Sequence, residues 1–196
     1  MAQADGLLTK IEFLMLEDHV LIRRAATELV CNLVAGSDSV FKRYSDGKTA
    51  KSRLHILVAL SDVEDLPTRL AASGALASLT SSPDTCRSLY ELERDHRRIL
   101  SILTTLIDPS FGSDEPHTKV SPDPGMVHRG VVCIRNLFIN LEPTLRERLK
   151  EESDLTGLLN VLITATKGNA ERPEVLQPTA EALKCLMDLG LLPPNI

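Results

Sequence analysis

Apolar residues recur along this chain with helical spacing, and they do so in paired segments. The first pair is LLTKIEFLML followed by IRRAATELVCNLV, the latter running from Ile22 to Val34. On a helical wheel Ala25, Leu29, Leu33, Ala26 and Val30 fall into one apolar stripe, with Asn32 at its edge and Arg24, Glu28 and Cys31 beyond it. Three later segments share that form: TRLAASGALASLT, VHRGVVCIRNLFI and LQPTAEALKCLMD. Aligned on Leu33, Leu79, Leu137 and Leu186, the four stand 46, 58 and 49 residues apart. A period of roughly 40–47 residues marks armadillo and HEAT repeats, so the middle interval carries an insertion.

The helix before each of these segments supports the same register. Leu7, Ile11 and Leu14 precede the first; Leu54, Leu57 and Val58 the second; Ile99, Ile102, Leu103 and Leu106 the third; Leu155, Leu158, Leu159 and Leu162 the fourth. Between units lie shorter helical stretches with start signals: Ser37-Asp38 before SVFKRY, Ser82-Pro83 before DTCRSLYEL, and Pro143-Thr144 before LRERLKEE. Three helices per unit favour armadillo over two-helix HEAT. The expectation is therefore an all-α, armadillo-repeat right-handed solenoid of about four repeats, forming a single domain over 1–196, with Leu29, Leu33, Leu76, Leu79, Leu137 and Leu186 in a continuous core. The first unit lacks its short helix, which leads us to expect a fragment or an end capped by a partner. Positions 108–125, DPSFGSDEPHTKVSPDPG, supply the extra length of the middle interval. Their prolines and glycines predict a mobile surface loop in which Phe111 is a candidate anchor and Ser121, before Pro122, a candidate phosphorylation site.

Composition narrows the class without changing the fold. The chain is 43% hydrophobic and 25% charged but only 3% aromatic with no Trp, which favours packed helices over a sandwich or barrel. A net charge of −5 argues against nucleic acid as the main partner. Cys31, Cys86, Cys133 and Cys185 are widely spread, as reduced core thiols would be rather than metal ligands or a disulfide framework. The N-terminal residues lack a basic region ahead of an apolar run, and no apolar run approaches the ~20 residues of a membrane span. A cytoplasmic protein with no membrane association is expected.

No phosphate-binding loop, HExxH, GxSxG or paired-cysteine motif is present, so no cofactor, metal or enzymatic activity is expected. Asp95-His96 reads as a helix start rather than a catalytic dyad. Attention falls instead on the third-helix segments. Asn32 aligns with Ser78, Asn136 and Cys185 at the stripe edge. Asparagine is a poor interior helix former, so it either bonds a neighbouring third helix or uses its amide to clamp the backbone of an extended peptide. Gly74 and Gly130, each costing roughly 1 kcal/mol in a helix, either admit a neighbouring helix or open a groove floor. The same surface carries Arg24, Glu28, Arg69, His128, Arg129, Arg135, Gln177, Glu181 and Lys184. Its middle is basic, which suits an acidic or carbonyl-rich protein segment. The candidate groove is thus Arg24, Glu28, Asn32, Arg69, Gly74, Ser78, His128, Arg129, Arg135 and Asn136, with both asparagines expected to be exposed.

IRRAATELVCNLV, SGALASLT, VHRGVVCIRNLF and the closing LKCLMDLGLLPPNI resemble the C-terminal portion of UCS-domain myosin chaperones across nearly the whole chain. The resemblance implies an armadillo solenoid whose concave groove binds the myosin heavy chain motor domain and supports its folding or assembly. Animal members also carry a tetratricopeptide region that docks Hsp90. Nothing here resembles it, so the fungal members are the nearer comparison and Hsp90 stands as a secondary candidate partner. The pattern departs from the family in the long insert and in the missing N-terminal part of the domain. The competing expectation is a passive armadillo adaptor for a linear peptide. An adaptor of the import-receptor kind is disfavoured by the absence of Trp and by the basic groove centre.

Overall fold

The computed structural model describes residues 2–46, 49–93, 99–109, 123–152 and 155–190. Among these residues there are eleven helices and no strand: α1 (Ala2–Leu14), α2 (Val20–Gly36), α3 (Asp38–Ser45), α4 (Ala50–Leu60), α5 (Leu66–Leu79), α6 (Pro83–Leu92), α7 (Ile99–Ile107), α8 (Pro124–Asn140), α9 (Pro143–Glu152), α10 (Leu155–Gly168) and α11 (Pro173–Asp188). The short helices α3, α6 and α9 open the second, third and fourth units, as their start signals predict. Pro83 sits in the first turn of α6, where its missing N–H costs nothing.

Each second helix packs on its own third helix, and the third helices pack successively, α2 on α5, α5 on α8 and α8 on α11. The core runs through these contacts as one cluster, from Leu8 and Ile11 through Leu54, Leu76, Leu79, Leu103 and Leu137 to Leu162 and Leu186. This is the stacked, neighbour-only arrangement of a helical solenoid.

Two helices are turned by one position from the sequence reading. In α2 the buried residues are Ala26, Thr27, Val30 and Val34, while Leu33 is half-buried and Leu29 is 43% exposed. In α1 the core positions are Leu8, Ile11 and Met15, while Leu7 and Leu14 face outward. Both helices carry apolar residues on adjacent faces, so a wheel finds two stripes and does not say which one is covered. Val34 therefore takes the place that Leu79, Leu137 and Leu186 hold in their units, and Asn32 is equivalent to Ala77 and Arg135 rather than to Asn136.

Helix α8 also starts earlier than expected. Asp123 caps it by accepting a hydrogen bond from the Met126 backbone N–H at 3.1 Å, and Pro124 occupies its first turn, so the last residues of the 108–125 stretch are helical. Phe111, Ser121 and Asp95-His96 lie outside the described residues.

Candidate functional site

A ladder of third helices presents one face that neither the second nor the short helices cover. Its positions follow from the register above: Leu21, Ile22, Ala25, Leu29 and Asn32 on α2 correspond to Leu66, Pro67, Leu70, Gly74 and Ala77 on α5. The next rungs are Pro124, Gly125, His128, Val132 and Arg135 on α8, then Pro173, Glu174, Gln177, Glu181 and Lys184 on α11. Where α8 meets α11, these same positions enclose a cleft of about 480 Å3. Leu70 Cδ2 lies close beside Gly125, joining the α5 and α8 rungs.

The two halves of this groove differ in chemistry. On α2 and α5 it is apolar, with Leu21 at 61%, Ile22 at 42%, Leu29 at 43% and Leu66 at 43% exposure. Large aliphatic side chains left that open in a row mark an interaction surface. On α8 and α11 it is polar: Gln177 Nε2 donates to Glu181 Oε1 at 3.1 Å, and Arg135 Nη2 stands 3.8 Å from Glu181 Oε2. Pro178 lies inside α11 and supplies no N–H, so the Glu174 carbonyl at the cleft lacks its usual helical donor.

The predicted groove residues divide into those that face this surface and those that hold the ladder together. Glu28 and Asn32 are exposed along α2, His128 is exposed at the cleft, and Arg135 lines it half-buried. Arg24 is structural: its Nη2 donates to Asp65 Oδ1 at 2.6 Å and its Nε to Asp65 Oδ2 at 3.2 Å. Asp65 in turn caps α5, accepting from the Thr68 backbone N–H at 3.1 Å and the Thr68 hydroxyl at 2.6 Å. Arg24 and Thr68 hold the Asp65 carboxyl well below the usual carboxylate range. Ser78 is half-buried and bonds back to its own helix, at Gly74 O.

Gly74 admits neighbours from both sides. A Cβ there would stand 3.2 Å from Cys31 Sγ of α2 and 3.3 Å from Arg129 Nε of α8. The Arg129 side chain thus lies over α5 rather than leaving an open floor. Gly130 faces the opposite way and is buried against α7, so it is not a groove residue.

Asn136 departs from expectation. It is half-buried, and its Nδ2 donates to Thr80 Oγ1 at 3.2 Å, while Asn140 Nδ2 donates to Thr80 O at 2.9 Å. Both bonds tie α8 to the end of α5, which is the inter-helix role, whereas Asn32 stays exposed. Asn136→Ala should therefore cost about 0.5–1.5 kcal/mol, the net worth of one such bond. Asn32→Ala should stay within about ±0.5 kcal/mol. Urea melts of the two single variants check the contrast, and equal shifts would refute it.

The four cysteines are free, as expected, but only Cys86 and Cys133 are fully buried. Burial pushes both thiols up to about 12. Cys31 and Cys185 are half-buried with smaller rises. A thiol reagent should accordingly label Cys31 and Cys185 in the folded chain, and Cys86 and Cys133 only after denaturation. Peptide mapping of the label gives the answer; early labelling at Cys133 would contradict this packing. Among the described residues no cluster of metal-ligating side chains exists, and no helix is long and apolar enough to cross a membrane.

The fold and this groove define the class: an armadillo-type α-solenoid with a binding face on its third helices. A designed armadillo repeat protein superposes with a TM-score of 0.65 at 15% identity, covering 94% of this chain and 71% of its own. UNC-45 from Drosophila melanogaster superposes with a TM-score of 0.71 at 28% identity, covering 94% of this chain and 21% of that one. By sequence, Ring assembly protein 3 of Schizosaccharomyces pombe is 32% identical over 157 residues, 79% of this chain and 19% of that protein. Protein unc-45 homolog B of Danio rerio is 30% identical over 187 residues, 95% of this chain and 18% of its own length. No protein-family model matches. The chain is homologous over most of its length to UNC-45 and Ring assembly protein 3, the UCS-domain family that its third-helix segments resemble. It spans about a fifth of the length of these relatives.

Proposed function

We propose that this chain is the client-holding part of a myosin-directed chaperone, which grips the motor domain of a myosin heavy chain through the third-helix groove and limits its aggregation while it folds or assembles. The reading joins the homology to UNC-45 with one observation of the groove itself: the row Leu21, Ile22, Leu29 and Leu66 is open to solvent on a solenoid whose other large aliphatics are mostly covered. An apolar row serves a client whose own apolar surface is transiently exposed. The groove needs no cofactor for this, and we assign the chain no enzymatic role.

Heated myosin heads provide the test. Light scattering should fall when the chain is added at near-stoichiometric ratio, and Leu21→Ser/Leu29→Ser should remove most of that suppression while leaving the melting midpoint unchanged. Peptide binding without any suppression of aggregation would favour the adaptor reading. Suppression untouched by the leucine substitutions would place the client elsewhere.

A further inference from the structure

Half-buried arginines in this chain are consistently given acceptors, with two exceptions. Arg23 donates to Glu17 O, Arg24 pairs with Asp65, Arg43 and Arg53 with Glu12, Arg135 with Glu181, and Arg146 donates to Leu141 O. Arg69 on α5 and Arg129 on α8 are also half-buried, yet among the described residues neither has an ion pair or hydrogen bond. Arg69 Nε is moreover shut off from solvent without an acceptor. A guanidinium carries five donors and never loses its charge, so leaving it partly desolvated and unpaired is unfavourable unless something arrives to meet it.

Both residues belong to the middle of the ladder. Arg129 extends over Gly74, with Nη1 close to Gly125, and Leu70, next to Arg69, packs beside the same Gly125. The expected basic centre is therefore halved, because Arg24 and Arg135 are neutralised by carboxylates of the chain itself, and what remains is one cationic step. On its α2 side lies the apolar row, and on its α11 side the exposed carboxylates of Glu174 and Glu181. An anionic group entering the groove is attracted at one place and repelled at the next.

From this we infer that the groove centre is a carboxylate subsite: Arg69 and Arg129 receive an Asp or Glu side chain of an extended polypeptide whose neighbouring bulky aliphatic residues lie on the Leu21, Ile22, Leu29 and Leu66 row. Packed helices stand about 8–10 Å apart and an extended chain advances about 3.3 Å per residue, so the acid sits about three residues from the aliphatic pair. The inference rests on the groove being the binding face, not on the client being myosin.

Fluorescence anisotropy with synthetic dodecapeptides tests it without any myosin. Each peptide carries a Leu-Leu pair and a Glu three residues before or after it; matched peptides replace that Glu by Gln or by phosphoserine. One of the two Glu orders should bind about tenfold tighter than its Gln counterpart at low salt, in keeping with a charged hydrogen bond. Arg69→Met/Arg129→Met should bring that ratio close to one without lowering the melting midpoint, since no native bond is lost. Leu21→Ser/Leu29→Ser should weaken the Glu and Gln peptides alike. Equal binding of Glu and Gln in both orders, failure of every peptide to bind, a preference confined to phosphoserine, or discrimination that survives the double arginine substitution would each overturn the subsite. Should myosin-head aggregation go unsuppressed while the Glu preference holds, the chaperone reading fails and the subsite stands.

Discussion

Leu79→Ala should lower the stability of the chain by about 2–5 kcal/mol, the range for removing a fully buried leucine from a packed core. Leu79 is completely covered and ends α5 at a point where several units meet. Its neighbour Thr80 takes hydrogen bonds from Asn136 and Asn140 of α8 and, at its carbonyl, from Cys86 Sγ of α6. These bonds fix the surrounding backbone, so the cavity cannot close by collapse and the cost lies toward the upper part of the range. Urea denaturation read by circular dichroism measures it, and an unmoved midpoint would mean that α5 is wrongly registered.

Gly130→Ala should destabilise by about 1–3 kcal/mol, although alanine is the better helix former by roughly 1 kcal/mol. The added Cβ would stand 2.8 Å from Ile107 Cγ1, 3.0 Å from Leu106 Cβ and 3.0 Å from the Leu103 carbonyl oxygen. Two of those atoms can yield only if α7 shifts, because one is a β-carbon and the other belongs to the backbone. Gly74→Ala meets only side-chain atoms, Sγ of Cys31 and Nε of Arg129, at 3.2 and 3.3 Å. Its outcome should lie within about 1 kcal/mol of neutral. Thermal melts of the pair decide the matter, and a larger loss at Gly74 than at Gly130 would reverse the assignment.

Those glycines show what the sequence carries and what it leaves out. Both announce themselves as costly helix residues, but the reason belongs to the neighbour: α7 for Gly130, Cys31 and Arg129 for Gly74. The repeat register was legible from leucines at Leu79, Leu137 and Leu186, because those helices bury one apolar stripe each. It slipped by one in α2, where Leu21, Ile22, Ala25 and Leu29 form a second stripe that is apolar for binding rather than for the core. An exposed aliphatic row and a buried one look identical on a wheel, so the apolar half of the groove was missed and Leu29 was assigned to the core. The polar half was partly legible, since His128, Arg135, Gln177 and Glu181 do line the cleft. Pairings such as Arg24 with Asp65, 41 residues apart, have no local signal and appear only once the units stack.

The buried hydroxyls of the third helices bear on how stiff the ladder is. Thr27, Ser73 and Thr179 each donate to a carbonyl four residues back in their own helix. They ask nothing of the adjoining helix, so much of the contact between rungs is small, smooth and undirected. Directed cross-bonds fasten α2 to α5 through Arg24 and Asp65, and α5 to α8 through Thr80 with Asn136 and Asn140. Between α8 and α11 the long Arg135–Glu181 contact is the cross-link recorded among the described residues. The ladder is thus a spring of graded stiffness, rigid under its aliphatic rungs and compliant at the last joint, where a bound strand can change the curvature of the superhelix with the least elastic work.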